Sequence, residues 1–553
     1  MDRSMRAAAS GRGDIASIPH GKAATTSAAG ADDPSYKWKV LASVVVGLFM
    51  VILDATVVNV ALRALQQKYA ASTSDVQWVI SLYTLALGIA TPLSGFLGDR
   101  FGTRRIYMGG LALFVLGSVL CGLAPTLPLL IAARGLQGIG GGIALPLGTA
   151  MLFGAFPPEQ RGAAFGVFGI VLVFAPASGP LLGGWLVDHN LIPWIFFLNL
   201  PIGLLGLAVS GRFLHRRRAG RTAQADVPGM ILAPLGFGAL LFAASIAGEP
   251  GAGWADGRVL GGLAVGVVLL AALAVAELRA PEPLLDLRLY RTRSFALGSL
   301  VGLIGTVALF GAEFLLPLYL QVLRGRTAFE AGLFLLPLAI ASGVVIPLSG
   351  VLTDRIGPRV PVVAGFLLLA FNTLQLSQVT LGTSLTYITL LVVLRGIGIA
   401  LVVQNAQVAA LTDVPPARLS RATPLYSATQ QTLQAIGVAV LATILSTAVT
   451  VAPPRGGVPA NLSRLPAPAR EAALAGLHTF QGQYITGLQH AYVAAFIVSI
   501  VATLLAIFLP GWPGVYRRRN ETVTAKDTVT AAGAGVPGQD ASAPLPQAVA
   551  ERA

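Results

Sequence analysis

The chain has 553 residues, of which 55% are hydrophobic and 11% charged, with a mean hydropathy of +0.74. Soluble domains carry about 25% charged residues, so this chain is too apolar to dissolve and belongs in a lipid bilayer. Its net charge of +14 does not point to nucleic acid, because the arginines fall in short gaps between apolar runs and at the two ends. The single cysteine, Cys121, lies within an apolar run and can form no internal disulfide. The five histidines are scattered, no cluster has metal-ligand spacing, and neither metal nor cofactor is expected.

Residues 1–36 are rich in alanine, serine and glycine and lack the apolar core of a signal peptide, so a disordered tail is expected. Apolar runs of about 18–25 residues follow, each long enough to span a bilayer as a helix. They lie near 39–62, 77–98, 106–124, 128–153, 163–186, 194–213, 229–248, 259–278, 295–322, 331–352, 360–379, 384–406, 423–447 and 490–510. The count is about fourteen, an even number, which places both ends on one side. The proline- and alanine-rich segment 448–489 is the one long loop, either a cap or a disordered stretch, and 513–553 is a second polar tail.

Alternate loops differ in basic charge. One set holds Arg100, Arg104, Arg105, Arg161, Arg212, Arg216, Arg217, Arg218, Arg221, Arg288, Arg291, Arg293, Arg355, Arg359, Arg418 and Arg421. The other holds Arg63, Lys68, Arg258, Arg324 and Arg326, plus three arginines in the long loop. The richer set is therefore cytoplasmic, and so are both termini.

The pattern G-x-L-x-D-R-x-G occurs twice, at Gly95–Gly102 and at Gly350–Gly357, each time where an apolar helix runs out into a basic loop. One copy per half implies two related bundles, the architecture of secondary transporters. The halves are then 37–213 and 295–512, and 214–294 is an insertion of two membrane helices with basic linkers.

Charges inside spans are costly, about 2.5–3.5 kcal/mol on insertion scales, and mark function by default. Asp54 in the first span and Glu313 in the ninth occupy comparable places in the two halves, as do Arg134 and Arg395. A carboxyl balanced between burial and a nearby arginine could load and release a proton, and packing is the alternative role. In the fifth span, Gly169, Pro176, Gly179, Pro180 and Gly183 form a string of helix-bending and close-packing residues, suited to a contact between rocking bundles. Tyr83, Gln137, Tyr319, Gln404, Gln430 and Gln434 are candidates to line a substrate cavity; interhelical hydrogen bonding explains them equally well.

These residues together resemble the major facilitator superfamily, in its branch of fourteen-span drug:proton antiporters, over about 37–512. The carriers of the resemblance are Leu53–Leu62, Gly95–Arg105, Arg134–Gly140, Gly169–Gly184 and Trp194–Gly203. The resemblance implies an all-α membrane protein of major facilitator fold, with two pseudo-symmetric six-helix bundles and two linker helices. It implies Asp54 as the proton-linked acid, with Arg134 as its partner and Glu313 as a further proton-coupling candidate. Gly95, Asp99, Arg100 and Arg104 would form a cytoplasmic latch, with Asp354 and Arg355 in the second copy. There are departures: Arg63 replaces a proline after the first motif, Thr103 a basic residue, and Ile192-Pro193 precede Trp194 where an arginine is usual. The second loop copy keeps only Pro358-Arg359 of its basic cluster. The implied activity is export of lipophilic small molecules, drugs or antibiotics, in exchange for protons across a bacterial cytoplasmic membrane, by a monomer. The alternatives are proton-coupled uptake of a small solute and export of an endogenous lipid or siderophore. No nucleophile–base pair suggests an enzyme.

Overall fold

The computed structural model describes residues 35–157, 160–215, 226–247, 253–313, 315–415, 418–449 and 467–509. Residues 1–34 of the first expected tail, all of the second, the linker arginines from Arg216 to Arg221 and the 450–466 part of the long loop lie outside the described residues, while Tyr36, expected in the tail, already belongs to the first helix. Among those described there is no strand. The first half comprises α1 (Tyr36–Tyr69), α2 (Thr73–Ala90), α3 (Leu93–Phe101), α4 (Thr103–Leu123), α5 (Leu127–Ala155), α6 (Arg161–Asp188), α7 (Trp194–Phe197) and α8 (Asn199–Phe213). Then come α9 (Val227–Ala247) and α10 (Gly257–Arg279). The last part holds α11 (Arg293–Glu313), α12 (Leu315–Leu318), α13 (Ala328–Ile356), α14 (Arg359–Leu376), α15 (Leu385–Leu411), α16 (Leu419–Thr447) and α17 (Ala467–Ala506).

Twelve of these helices are long and apolar enough to cross a membrane, and the bent pair α2–α3 makes a thirteenth. The expected count of fourteen is not reached by that measure. Across the predicted span 295–322 every described residue is helical, through α11 and α12 to a π-helical turn at Tyr319–Leu323; Phe314 lies outside the described residues, and the part that counts as an apolar helix by that measure is Arg293–Leu309. Pro317 has no N–H to offer the Glu313 carbonyl four residues back, which weakens the helix at that point. The same chemistry bends α2 from α3 by 52°. Pro92 cannot donate to Gly88, and the Thr91 hydroxyl donates to the Leu87 carbonyl at 2.8 Å. α17 begins well before the expected 490 because 467–489 is alanine-rich and helix-forming although too polar to register as a span.

The helices pack in two sets with one pattern. α1 packs on α5, α6 and α8, α5 also on α2 and α4, and α4 on α8. Likewise α11 packs on α15, α16 and α17, α15 also on α13 and α14, and α14 on α17. The sets meet where α6 crosses α13 and α15, and where α16 crosses α3 and α5. α9 and α10 pair with each other, and α9 lies against α2 and α16. Asp226 accepts the Gly229 and Leu284 amides at 2.9 and 3.0 Å, and Glu277 accepts the Leu285 amide at 3.1 Å, which ties the following linker to this hairpin. Leucine and valine side chains such as Val268, Val344 and Leu390 are exposed on the outside, as a lipid-facing surface requires.

Candidate functional site

Asp54 lies past the middle of α1 and is 1% exposed, as is Arg134 on α5. They form an ion pair through Asp54 Oδ2 and Arg134 Nη1. The other carboxylate oxygen accepts from Gln137 Nε2 at 3.0 Å and from Asn199 Nδ2 at 2.6 Å. Arg134 and Gln137 are one turn apart on α5, and Nη1 also donates to Gln137 Oε1 at 2.8 Å. Arg134 Nε donates to the Val79 carbonyl at 3.2 Å, and the guanidinium stacks 4.0 Å from the Tyr83 ring centroid. Asn199 donates onward to Ser118 Oγ at 2.9 Å, and Ser118 donates to the Phe196 carbonyl at 2.7 Å. One acid thus joins α1, α4, α5 and α8. A buried pair of this kind adds little net stability, but removing one partner leaves an uncompensated charge.

The second half answers with different chemistry. Arg395 on α15 is buried and donates from Nη2 to the Leu309 carbonyl on α11 at 2.7 Å. Leu309 lies one turn before Glu313, whose side chain is outside the described residues. Beside Arg395 is a small cavity walled by Leu316, Leu338, Leu376, Leu391 and Tyr492.

The two G-x-L-x-D-R-x-G copies are resolved by geometry into four parts. Their first glycines are where helices of opposite halves touch backbone to backbone. A Cβ on Gly95 would overlap the Ser420 carbonyl oxygen, and one on Gly350 would overlap that of Gly162. One turn later the aspartate reaches the start of the same opposing helix. Asp354 accepts the Gly162 and Ala163 amides at 2.8 and 2.9 Å, at the positive end of α6. Asp99 accepts from Ser420 Oγ at 3.0 Å and lies 3.8 Å from Arg421, both in the first turn of α16. Arg100 and Arg355 are exposed. The final glycines, Gly102 and Gly357, have φ of 96° and 85°, which a side chain disfavours. Arg104 turns to its own half, where its Nη2 donates to the Gly211 carbonyl of α8 at 2.5 Å.

The glycines of α6 divide between two neighbours. A Cβ on Gly169 would come within 2.5 Å of Ile346 and 3.0 Å of Gln404, both in the second half. Gly179 and Gly183 instead face Thr56 and Val57 of α1, just beyond Asp54. Only part of this string, therefore, serves the contact between halves. Pro176 is half-buried, the Pro180 side chain lies outside the described residues, and α6 runs unbroken from Arg161 to Asp188.

Residues 44–440 match the model of the Major Facilitator Superfamily. The chain belongs to that superfamily. It is 32% identical to the "Lincomycin resistance protein LmrB" of Listeria monocytogenes, over 85% of this chain and 96% of the relative. It is equally 32% identical to the "Tetracenomycin C resistance and export protein" of Streptomyces glaucescens, over 85% and 91%. Among solved structures, human organic anion transporter MFSD10 shares the fold, with a TM-score of 0.59 at 15% identity, covering 85% of this chain and 99% of that one. This is a multi-pass membrane transporter whose relatives include antibiotic-resistance transporters.

Within this superfamily member, the six residues read as cavity candidates occupy different places. Tyr83 and Gln137 belong to the Asp54 cluster and face protein partners, not open space. Tyr319 is fully buried and donates to the Thr380 carbonyl at 2.9 Å, beside the loop after α14. Gln430 is half-buried and donates to Thr306 at 3.3 Å, and Gln434 is half-buried on the same helix. Gln404 lies buried where α15 meets α6. Asn199, Ser118 and Ser420 were not singled out from the sequence, and Arg421 was read only as a loop arginine. For Asn199 the signal was present: a polar amide between aromatic residues and a helix start in an otherwise apolar run.

Proposed function

We propose that the protein exports lipophilic small molecules, drugs or antibiotics among them, in exchange for protons across a bacterial cytoplasmic membrane. The observation that carries this reading is the enclosed Asp54 cluster. When ionised, Asp54 holds Arg134 and Asn199 and so binds α1 to α5 and α8. Protonation removes the charge that Arg134 compensates and loosens that tie. α6 is the element that conveys the change: one part packs on α1 next to Asp54, the other on α13 and α15 of the opposite half. The bundles 37–213 and 295–512 then rock about the seam, with 214–294 as the inserted pair, and the loop-pattern side is cytoplasmic, as are both termini. A proton shifts such an equilibrium only through different affinities for the two states. The names of the resistance relatives support export over uptake. The carrier acts as a monomer and uses the proton gradient in place of a cofactor.

The test is Asp54→Asn, an isosteric neutral replacement, assayed in everted vesicles. Dye accumulation driven by a pH gradient is expected to vanish while downhill flux is kept, and detergent melting should fall because Arg134 loses its counter-charge. Gradient-driven accumulation at the original rate would remove Asp54 from the coupling.

A further inference from the structure

The seam between α6 and α15 changes character along its length. At the end near the loop patterns, Arg161 Nη1 donates to the Thr412 carbonyl at 3.2 Å, and Phe165 and Phe168 share one apolar cluster with Val408 and Leu411. Deeper in on this face of α15, past the half-buried Gln407, lies the buried Gln404. It stands seven residues inside Leu411, about 10 Å along the helix at 1.5 Å per residue.

Among the described residues, five side-chain amides are buried: Gln137, Asn199, Asn372, Gln404 and Asn405. Four of them donate to a protein acceptor, namely Asp54, Asp54 and Ser118, the Leu391 carbonyl, and Ser349 with the Leu401 carbonyl. Gln404 is 4% exposed, and neither its Oε1 nor its Nε2 has a partner among the described residues. Lipid tails provide no donor or acceptor, and a buried amide left unmatched at both ends is costly to keep. An apolar residue of similar size would satisfy packing better. The stem of Gln404 rests on the space left by Gly169, where a Cβ would stand 3.0 Å from its Cγ. The amide is thus held at a contact between the two halves, with both hydrogen-bonding ends unused.

Resting on the export reading above, we propose that Gln404 is a substrate-binding residue that selects compounds presenting a hydrogen-bond donor and acceptor side by side. Carboxamides, lactams and cyclic imides have that edge, and a primary amide pairs with it through two parallel hydrogen bonds. A substrate of this class satisfies both orphaned ends at once, an N–H cation can satisfy only Oε1, and an apolar compound or quaternary cation satisfies neither. A site built for such an edge discriminates against analogues lacking it, because its own polar groups are then left unmatched.

The experiment uses the full-length protein in nanodiscs and two fluorescent probes, 4-methoxy-1,8-naphthalimide and its N-methyl derivative. The second lacks only the imide donor. Wild-type protein is expected to bind the free imide about tenfold more tightly, the ratio one hydrogen bond supplies. In Gln404→Leu that preference should disappear through weaker imide binding, with affinity for the N-methyl probe and the melting temperature unchanged or raised. Equal affinities in the wild type, no binding of the imide, or a preference that survives in Gln404→Leu would each overturn the assignment. Asp54→Asn should keep the tenfold ratio, so failure of proton coupling and failure of the Gln404 assignment are read separately.

Discussion

At Gly350–Gly357 the aspartate lies over the open first turn of α6 and takes two backbone amides, whereas at Gly95–Gly102 it takes a hydroxyl and shares a distant arginine. The two crossings are otherwise alike: a glycine against the opposing backbone, an acid one turn later, a positive-φ glycine at the exit. The difference lies in what the opposing helix offers. α6 presents Gly162, which lets α13 come close enough for Asp354 to reach bare N–H groups, while α16 presents the Ser420 side chain. Arg421 is also 3.7 Å from Glu282, and Arg418 is 3.5 Å from Asp286, so the linker after α10 joins the first junction. The repeated pattern thus encodes a helix crossing, and its partner decides the bonding. Counting basic residues would rank the second copy below the first, yet its aspartate takes two backbone amides.

Several substitutions would break or sharpen this contrast. The largest effect is expected from Gly350→Val, whose side chain has no room against the Gly162 backbone. Overpacking should cost about 1–3 kcal/mol in detergent melting and slow transport, and Gly95→Val should behave alike. An unchanged melting temperature for either would mean that the backbones do not meet there. Next comes Asp354→Ala, which strips two amides at a helix start and should cost about 0.5–2 kcal/mol, as loss of a cap does. Asp99→Ala should cost less, about 0.5 kcal/mol, because its arginine is partly solvated. The reverse order in urea or thermal titrations would refute the contrast. The smallest effect belongs to Glu282→Gln, about 0–0.5 kcal/mol at a half-exposed pair. A larger loss would show that the inserted hairpin helps hold the halves together.

Much was legible in the chain before any packing was known. The apolar runs, the duplicated loop pattern and the isolated charges within spans report local physics: hydrophobic length, backbone turns that need glycine, and the cost of charge in lipid. They located the helices, the two related sets and Asp54 with Arg134. They erred at the alanine-rich start of α17, where a segment read as part of a long loop is helical.

Apart from Arg134, which the family resemblance implied as the partner of Asp54, partner choice was beyond the reach of sequence. Asp54 finds Arg134, Gln137 and Asn199 across 80, 83 and 145 residues, and Asp354 finds Gly162 across 192. No periodicity carries that information, because it depends on which faces converge once the helices have packed. The same holds for Gln404, whose sequence neighbours are ordinary and whose two unmatched ends exist only because α6 closes over it. Composition and spacing therefore determined that this chain is a duplicated helical carrier. Tertiary structure alone decided which polar groups are satisfied, which stand idle, and which helix connects them.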